Sequence, residues 1–232
     1  MNIYKYFIDN NNPRSLNYKL RQTRLQLFLS QIANCKPPVS ILDVGGTAIY
    51  WENLFFSIEG INREDFSITI TNIDKDWLKK GVVEKQAGNY KFEVIDGRDM
   101  SRFSDGEFDI VHSNSVIEHV GDFNEQKRMA YEVRRVGRQH FIQTPNFYFP
   151  IEPHFCTAFF HWLPKRVRIR LVQARKMGHL PRAHNEDDAK NIVDSAQLAN
   201  YEDMRILFPE STIHREKFLG LTKSFIVMGQ RY

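Results

Sequence analysis

The sequence predicts an α/β fold in which a parallel sheet is covered on both faces by helices. Three observations point to it. Short runs rich in β-branched and aromatic residues alternate with amphipathic runs of helical length. The first four strand candidates each end in or run into glycine, aspartate or asparagine. The chain of 232 residues, 42% hydrophobic and 26% charged, suits one domain with a full core and insertions better than two complete domains. Open sheets of this kind hold ligands beyond the carboxyl ends of their strands, near the switch in strand order, so informative residues are expected just after strands.

The elements follow in order. Leu16, Leu20, Leu25, Phe28 and Ile32 recur at helical spacing and predict an amphipathic helix ending before Pro37-Pro38. Ser40 to Val44 is an apolar strand closed by Gly45-Gly46, and Ile49 to Ile58 reads as the returning helix. "SITITNID" (Ser67 to Asp74) is a second strand, followed by a helix from Asp76 to Val83. "YKFEVID" (Tyr90 to Asp96) and "FDIVHSN" (Phe108 to Asn114) are the third and fourth strands. Asn124 to Arg135 forms a charged amphipathic helix, and "QHFIQTPN" (Gln139 to Asn146) the fifth strand. After a long aromatic and basic insertion come a helix in "LANYEDMRILFP" and two strands, "STIHREKF" and "TKSFIVMG", which suit a β-hairpin at the sheet edge.

Composition narrows the function classes. The N-terminus MNIYKYFIDNNN lacks the apolar run of a signal peptide and no stretch reaches the length needed to cross a bilayer, so a cytoplasmic protein is expected. Cys35 and Cys156 lie too far apart in sequence to suggest a disulfide framework or a metal-ligand pair. The net charge of +4 is local in origin: Lys165, Arg166, Arg168, Arg170, Arg175, Lys176 and Arg182 fall within residues 164–182 without one acidic residue among them. That segment reads as a basic amphipathic helix with Leu163, Val167, Leu171 and Ala174 on one face. It suits contact with anionic lipid, an acidic substrate, or simple solvation. Positive charge confined to one segment, without a reading module, argues against a nucleic-acid partner.

The strand ends gather polar residues on one rim: Gly45-Gly46-Thr47, Asp74, Asp96-Gly97 and Ser113-Asn114. A glycine turn between strand and helix brings backbone close to a ligand. Dinucleotide folds need G-x-G-x-x-G there, whereas Thr47, Ala48, Ile49 and Tyr50 follow the glycine pair, which disfavours a nicotinamide cofactor.

These segments resemble the class I S-adenosylmethionine-dependent methyltransferases over residues 39–146. "ILDVGGT", with Asp43, Gly45, Gly46 and Thr47, is similar to their first motif, whose loop passes beneath the methionine and ribose. "ITNID" is similar to the second, in which Asp74 would accept hydrogen bonds from the ribose hydroxyls. "VIDGRDM" is similar to the third, where Asp96 would take the adenine amino group and the backbone of Gly97 and Arg98 would meet the ring. "DGEFDIVHSNSVIEHV" resembles the fourth-strand signature, with Ser113 and Asn114 lining the methionine end. Thr47 and Ile49 depart from the second and third glycines of G-x-G-x-G. The resemblance implies a doubly wound, Rossmann-like, seven-stranded sheet, mostly parallel with an antiparallel last strand, and S-adenosylmethionine as cofactor with S-adenosylhomocysteine as product. It divides a single domain, 1–232, into an N-terminal helical segment (1–38), a cofactor-binding core (39–146), an acceptor-side lid (147–194) and a closing helix and strand pair (195–232).

On the acceptor side, Glu118 and His119 follow the fourth strand and are candidate bases, although an acid and a histidine also suit the first turns of a helix. Small-RNA 2′-O-methyltransferases and a quinone-biosynthesis branch carry E-x-x-E-H here and bind a divalent ion; Ser115 replaces the first glutamate, so no metal is expected. Within the insertion, Phe147, Phe149, Phe155, Phe159, Phe160 and Trp162 supply apolar surface and Glu152, His154 and His161 polar groups, a combination suited to a lid. The run P-N-x-x-x-P-I-E-P-H is similar to bacterial methyltransferases of small-molecule or surface-polysaccharide pathways. His154 is favoured as the base because prolines on either side would restrain its backbone. The sequence thus points to methyl transfer to a small, partly hydrophobic acceptor, at oxygen before nitrogen or carbon. A non-catalytic cofactor-binding scaffold and a metal-assisted enzyme acting on RNA or a quinone are the alternatives.

Overall fold

The structure, a computed structural model, describes residues 16–79, 90–178 and 180–231. Seven strands, β1 (Val39–Val44), β2 (Phe66–Asn72), β3 (Tyr90–Val94), β4 (Phe108–Asn114), β5 (Gly137–Pro145), β8 (Thr212–Phe218) and β9 (Leu221–Gln230), form one sheet. Its order is β3-β2-β1-β4-β5-β9-β8, while β6 (Ile151–Glu152) and β7 (Thr157–Ala158) pair separately within the insertion. β1 to β5 run parallel, and β9 runs antiparallel to both of its neighbours, β5 and β8. The order reverses beside β1, which lies between β2 and β4, so the ends of β1 and β4 adjoin at the switch point.

Alternation along the strands divides the core between two faces. Leu42, Val111, Ile142, Phe225 and Val227 pack with Met129 and Val133 of α4 (Phe123–Val136) and Met204 and Leu207 of α7 (Tyr201–Leu207). Their neighbours Ile41, Ile110, Phe141 and Ile226 pack on the other face with Leu25, Phe28 and Ile32 of α1 (Leu16–Ile32). Strands buried on both faces read as near-continuous apolar runs, which is why β1, β2 and β4 are legible in the sequence. The two helices on the first face are capped at their N-termini: Asp122 accepts from the backbone N–H of Asn124 and Glu125 ahead of α4, and Asn200 forms a capping box with Asp203 ahead of α7.

Two local expectations change, and a third is described only in part. The helix expected over Ile49 to Ile58 is a short α2 (Ala48–Tyr50) that widens into a π-helical turn, Trp51–Phe55. Trp51, Leu54 and Phe55 are all buried there, and the Trp51 indole is pinned to Asp43, so tertiary contacts outweigh the regular helical repeat. The basic helix α5 (Lys165–Ala174) turns a different face inward: Val172 is buried, with Ile169 and Leu171 beside it, whereas Val167 and Ala174 are exposed. Of the helix expected from Asp76 to Val83, α3 (Lys75–Lys79) is described and the remainder lies outside the described residues.

The insertion has a core of its own. Phe155 and Phe160 stack at a centroid distance of 4.0 Å among Val172, Met177, Ala183 and, from α6 (Glu186–Asp194), Ala189 and Val193. Among the described residues no helix is long and apolar enough to cross a membrane.

Candidate functional site

The turn after β1 is built so that side chains would not fit. Gly45 has a φ of +74°, and a Cβ on it would lie 2.6 Å from Val116 Cγ2. A Cβ on Gly46 would lie 1.6 Å from Asp43 Oδ2. Asp43 itself is buried: its Oδ2 accepts from Trp51 Nε1 at 2.7 Å and its Oδ1 from His112 Nδ1 at 2.8 Å. Asp43 therefore acts by holding the loop against α2 and β4, with its carboxylate turned inward. Thr47 begins α2 in extended conformation without a side-chain capping bond and is half-buried beside the glycines.

The other strand ends open on the same rim. Asp74 is exposed; its Oδ1 accepts from the backbone N–H of Asp76 and Trp77 at 2.8 and 3.2 Å, capping α3, and its Oδ2 has no partner among the described residues. Asp96 accepts from Arg98 Nε and Nη2 through both oxygens, and the Arg98 guanidinium holds its carboxyl below the usual range. Arg98 also reaches the Val120 carbonyl at 3.1 Å and Glu125 at 2.9 Å. Gly97 lets this loop close on β1, since a Cβ there would meet Val44 Cγ1 at 2.8 Å. Ser113 is buried and donates to the Val44 carbonyl at 3.0 Å, tying β4 to β1, and Asn114 is half-buried at the strand's end. The acceptor groups fit an adenosine. Two carboxylates at the ends of adjacent strands meet hydroxyl and amino donors, and a side-chain-free turn beside them leaves room for the rest of the molecule.

On the acceptor side three predicted residues converge. Glu118 and His119 lie in a 3-10 turn, Ile117–His119, that leads away from β4. His154 lies in the tight connection between β6 and β7. One ligand-competent atom from each of the three lies within 4.8 Å of the others, and the two imidazole rings meet edge to face at 4.7 Å. His154 Nδ1 donates to Glu152 at 2.7 Å, and His119 Nδ1 donates to the Ser195 carbonyl at 2.7 Å. Glu118 is buried with its Oε2 accepting from Thr144 at 3.0 Å, and burial pushes its carboxyl up. Burial works against protonated His154, but the hydrogen bond and charge of Glu152, joined by Glu118, outweigh it and raise the imidazole above its ordinary value.

Several partners of these residues are illegible in the sequence. His112 sits in an apolar strand, and its pairing with Asp43 depends on the β1–β4 register, in which the two are directly opposite. Arg24 of α1 donates to both carboxylate oxygens of Glu216 at 2.8 and 2.6 Å and to Asn114 Oδ1 at 3.2 Å, anchoring the first helix to the rim. Burial would raise Glu216, but the Arg24 guanidinium prevails and holds it low. Thr144 and the Ser195 carbonyl carry no motif at all. Of the lid aromatics, Phe149, Phe155 and Phe160 are buried as packing, while Phe159 and Trp162 stay exposed and Phe147 is half-buried. His161 and the Trp162 indole both donate to the Phe147 carbonyl, at 2.7 and 3.0 Å, so these two polar groups brace the lid.

A methyltransferase-domain family model matches residues 45–140, the span that holds this rim. Solved structures share the fold. A protein from Pyrococcus horikoshii OT3 is 19% identical with a TM-score of 0.57, over 100% of this chain and 99% of that one. The N-terminal domain of EvdMO1, solved with S-adenosylhomocysteine bound, is 13% identical with a TM-score of 0.55, over 91% of this chain and 81% of that one. The CurJ carbon methyltransferase is 9% identical with a TM-score of 0.57, over 93% of this chain and 55% of that one. No curated protein matches the sequence.

Proposed function

We propose that this chain, whose residues 45–140 match a methyltransferase-domain family model, transfers a methyl group from S-adenosylmethionine to oxygen on a small, partly hydrophobic acceptor. The observation that carries this reading is the convergence of Glu118, His119 and His154 on the segment that continues from β4, whose end shares the rim with Asp74 and Asp96.

S-adenosylmethionine is the cofactor, and when bound it supplies a methyl group made electrophilic by a sulfonium. The residues of the chain have three tasks. Asp74 and the loop beginning at Asp96 would hold the adenosine, and the turn at Gly45 and Gly46 keeps the backbone low beneath it. Glu118, His119 and His154 would orient the acceptor oxygen and receive its proton, which matters for a hydroxyl because its neutral oxygen is a poor nucleophile. The insertion would close over the acceptor with Phe159 and Trp162 as exposed apolar surface, excluding water.

A cofactor-binding protein without turnover is favoured by one observation, the Asp96 carboxylate being already engaged by Arg98. Titration calorimetry with S-adenosylmethionine, S-adenosylhomocysteine and NAD is the first test, followed by methyl transfer to a panel of hydroxylated aromatic and aliphatic acceptors. Binding of the first two ligands without NAD, with turnover on a hydroxylated acceptor, is the expected result. Binding with no turnover on any acceptor would favour the second reading, and failure to bind either would overturn both.

A further inference from the structure

We propose that Glu118, His119 and His154 form a binding site for a divalent first-row transition cation, held by one carboxylate oxygen and two imidazole nitrogens. This deepens the acceptor-side reading above and rests on it for the use of the cation, but not for its binding.

Proximity comes first. The three residues place candidate ligand atoms within 4.8 Å of one another, and among the described residues no other cluster of this kind is found. Two independent observations then point to a ligand. Each imidazole is tied at Nδ1, His119 to the Ser195 carbonyl and His154 to the Glu152 carboxylate. An acceptor at Nδ1 fixes the tautomer with its proton there and leaves the Nε2 lone pair for a cation, the arrangement that orients histidine ligands in metal sites. The third residue has an unanswered oxygen. Glu118 is 1% exposed, Thr144 satisfies Oε2, and Oε1 is buried with no hydrogen-bond partner. A buried carboxylate oxygen without a partner is costly, and a cation at the cluster would give it both a partner and a compensating charge.

The backbone holds the two ligand segments in place. The Glu118 carbonyl accepts from Gln197 N–H at 2.6 Å, and Gly178 packs against the His154 carbonyl so closely that a Cβ on it would lie 2.6 Å away. Two nitrogens and one oxygen suit manganese, iron, cobalt or zinc, whereas magnesium and calcium favour oxygen donors throughout. Three protein ligands leave positions for the acceptor. With such a cation bound, Glu118, His119 and His154 would hold the acceptor oxygen through it in place of taking the proton themselves: the proton would pass to water, and the oxygen's lone pair would form the bond to the methyl carbon as the carbon–sulfonium bond breaks and its electron pair leaves with sulfur in S-adenosylhomocysteine. Glu152 is then a positioning residue that acts through His154.

The test is titration of the chelator-treated full chain with Mn²⁺, followed by electron paramagnetic resonance of the free ion, with Zn²⁺ as competitor. Titration calorimetry with S-adenosylhomocysteine checks that each variant is folded. One saturable Mn²⁺ site, displaced by Zn²⁺, is expected in the wild type. It should be lost in Glu118→Gln and His154→Ala and weakened about 10- to 100-fold in Glu152→Gln, with S-adenosylhomocysteine binding retained in all three. No saturable Mn²⁺ binding in a wild type that binds S-adenosylhomocysteine would overturn the metal site and leave the methyltransferase reading standing. Binding that persists unchanged in Glu118→Gln and His154→Ala would place the ion elsewhere and overturn it equally. Loss of S-adenosylhomocysteine binding in the wild type would instead count against the preceding reading, while the Mn²⁺ titration still decides the site.

Discussion

Replacing Gly46 with alanine tests the construction of the cofactor loop most directly. The added Cβ would sit 1.6 Å from Asp43 Oδ2 and 2.2 Å from its Cγ, so the carboxylate has to move. Asp43 is 1% exposed and can move only by releasing Trp51 Nε1, at 2.7 Å, and His112 Nδ1, at 2.8 Å. Hydrogen bonds to a charged group contribute about 1.5–3 kcal/mol each. The loss of conformational entropy from the unfolded chain returns about 0.4–1 kcal/mol. The net expectation is a destabilisation of about 2–5 kcal/mol, a large share of the roughly 5–15 kcal/mol typical of a domain. Urea unfolding followed by circular dichroism measures it. Gly60→Ala is the control: Gly60 has a φ of +86° but nothing within 4 Å of an added Cβ, and should cost about 1 kcal/mol. In an Asp43→Ala background the clash is gone, so Gly46→Ala should cost under about 1 kcal/mol there. A Gly46→Ala protein as stable as wild type, or an equal loss in both backgrounds, would refute the assignment of Asp43 as the group that shapes the loop.

Three further outcomes follow from other parts of the site. Asp74→Ser keeps a helix-capping oxygen but removes the carboxylate, so stability should hold while S-adenosylmethionine affinity falls by about 1–3 kcal/mol in titration calorimetry; unchanged affinity would remove Asp74 from the ribose. Burial lowers the His140 pKa to about 4, so the unfolded chain binds its proton first. The resulting stability is complete above about pH 6.5 and is lost as pH falls toward 4, by about 3 kcal/mol. His140→Gln should remove that part of the acid sensitivity in paired urea titrations at pH 7 and 4.5, and an unaltered pH dependence would sink the claim. Arg24→Met leaves Glu216 buried and without its guanidinium, at a cost of about 3–5 kcal/mol; the double variant Arg24→Met/Glu216→Leu should recover most of it, and thermal melts that show no recovery would contradict the pairing.

How much of the site was legible varies by residue. Asp74 and Asp96 could be placed on one rim because each follows a strand with a clear apolar pattern, and parallel strands bring their carboxyl ends to the same side. Glu118 and His119 could be placed near them because they follow Asn114 closely. His154 could be nominated but not located, since nothing in residues 147–194 states how the insertion folds back. The inward face of α5 is not legible for a related reason: several registers of that basic segment are amphipathic, and only the Phe155–Phe160 core selects the one that buries Val172.

By itself the sequence determined the order of strands and helices outside the insertion, the parallel core and the positions of the polar strand ends. These depend on period and local turn chemistry, which are properties of neighbouring residues. Tertiary structure alone decided that Asp43 faces inward to His112 and Trp51, that Arg98 covers Asp96, that Arg24 reaches Glu216 and Asn114, and that His154 meets Glu118 and His119. Each of those contacts depends on strand register or on the fold of the insertion, where packing among distant residues selects one arrangement from several that local pattern permits equally.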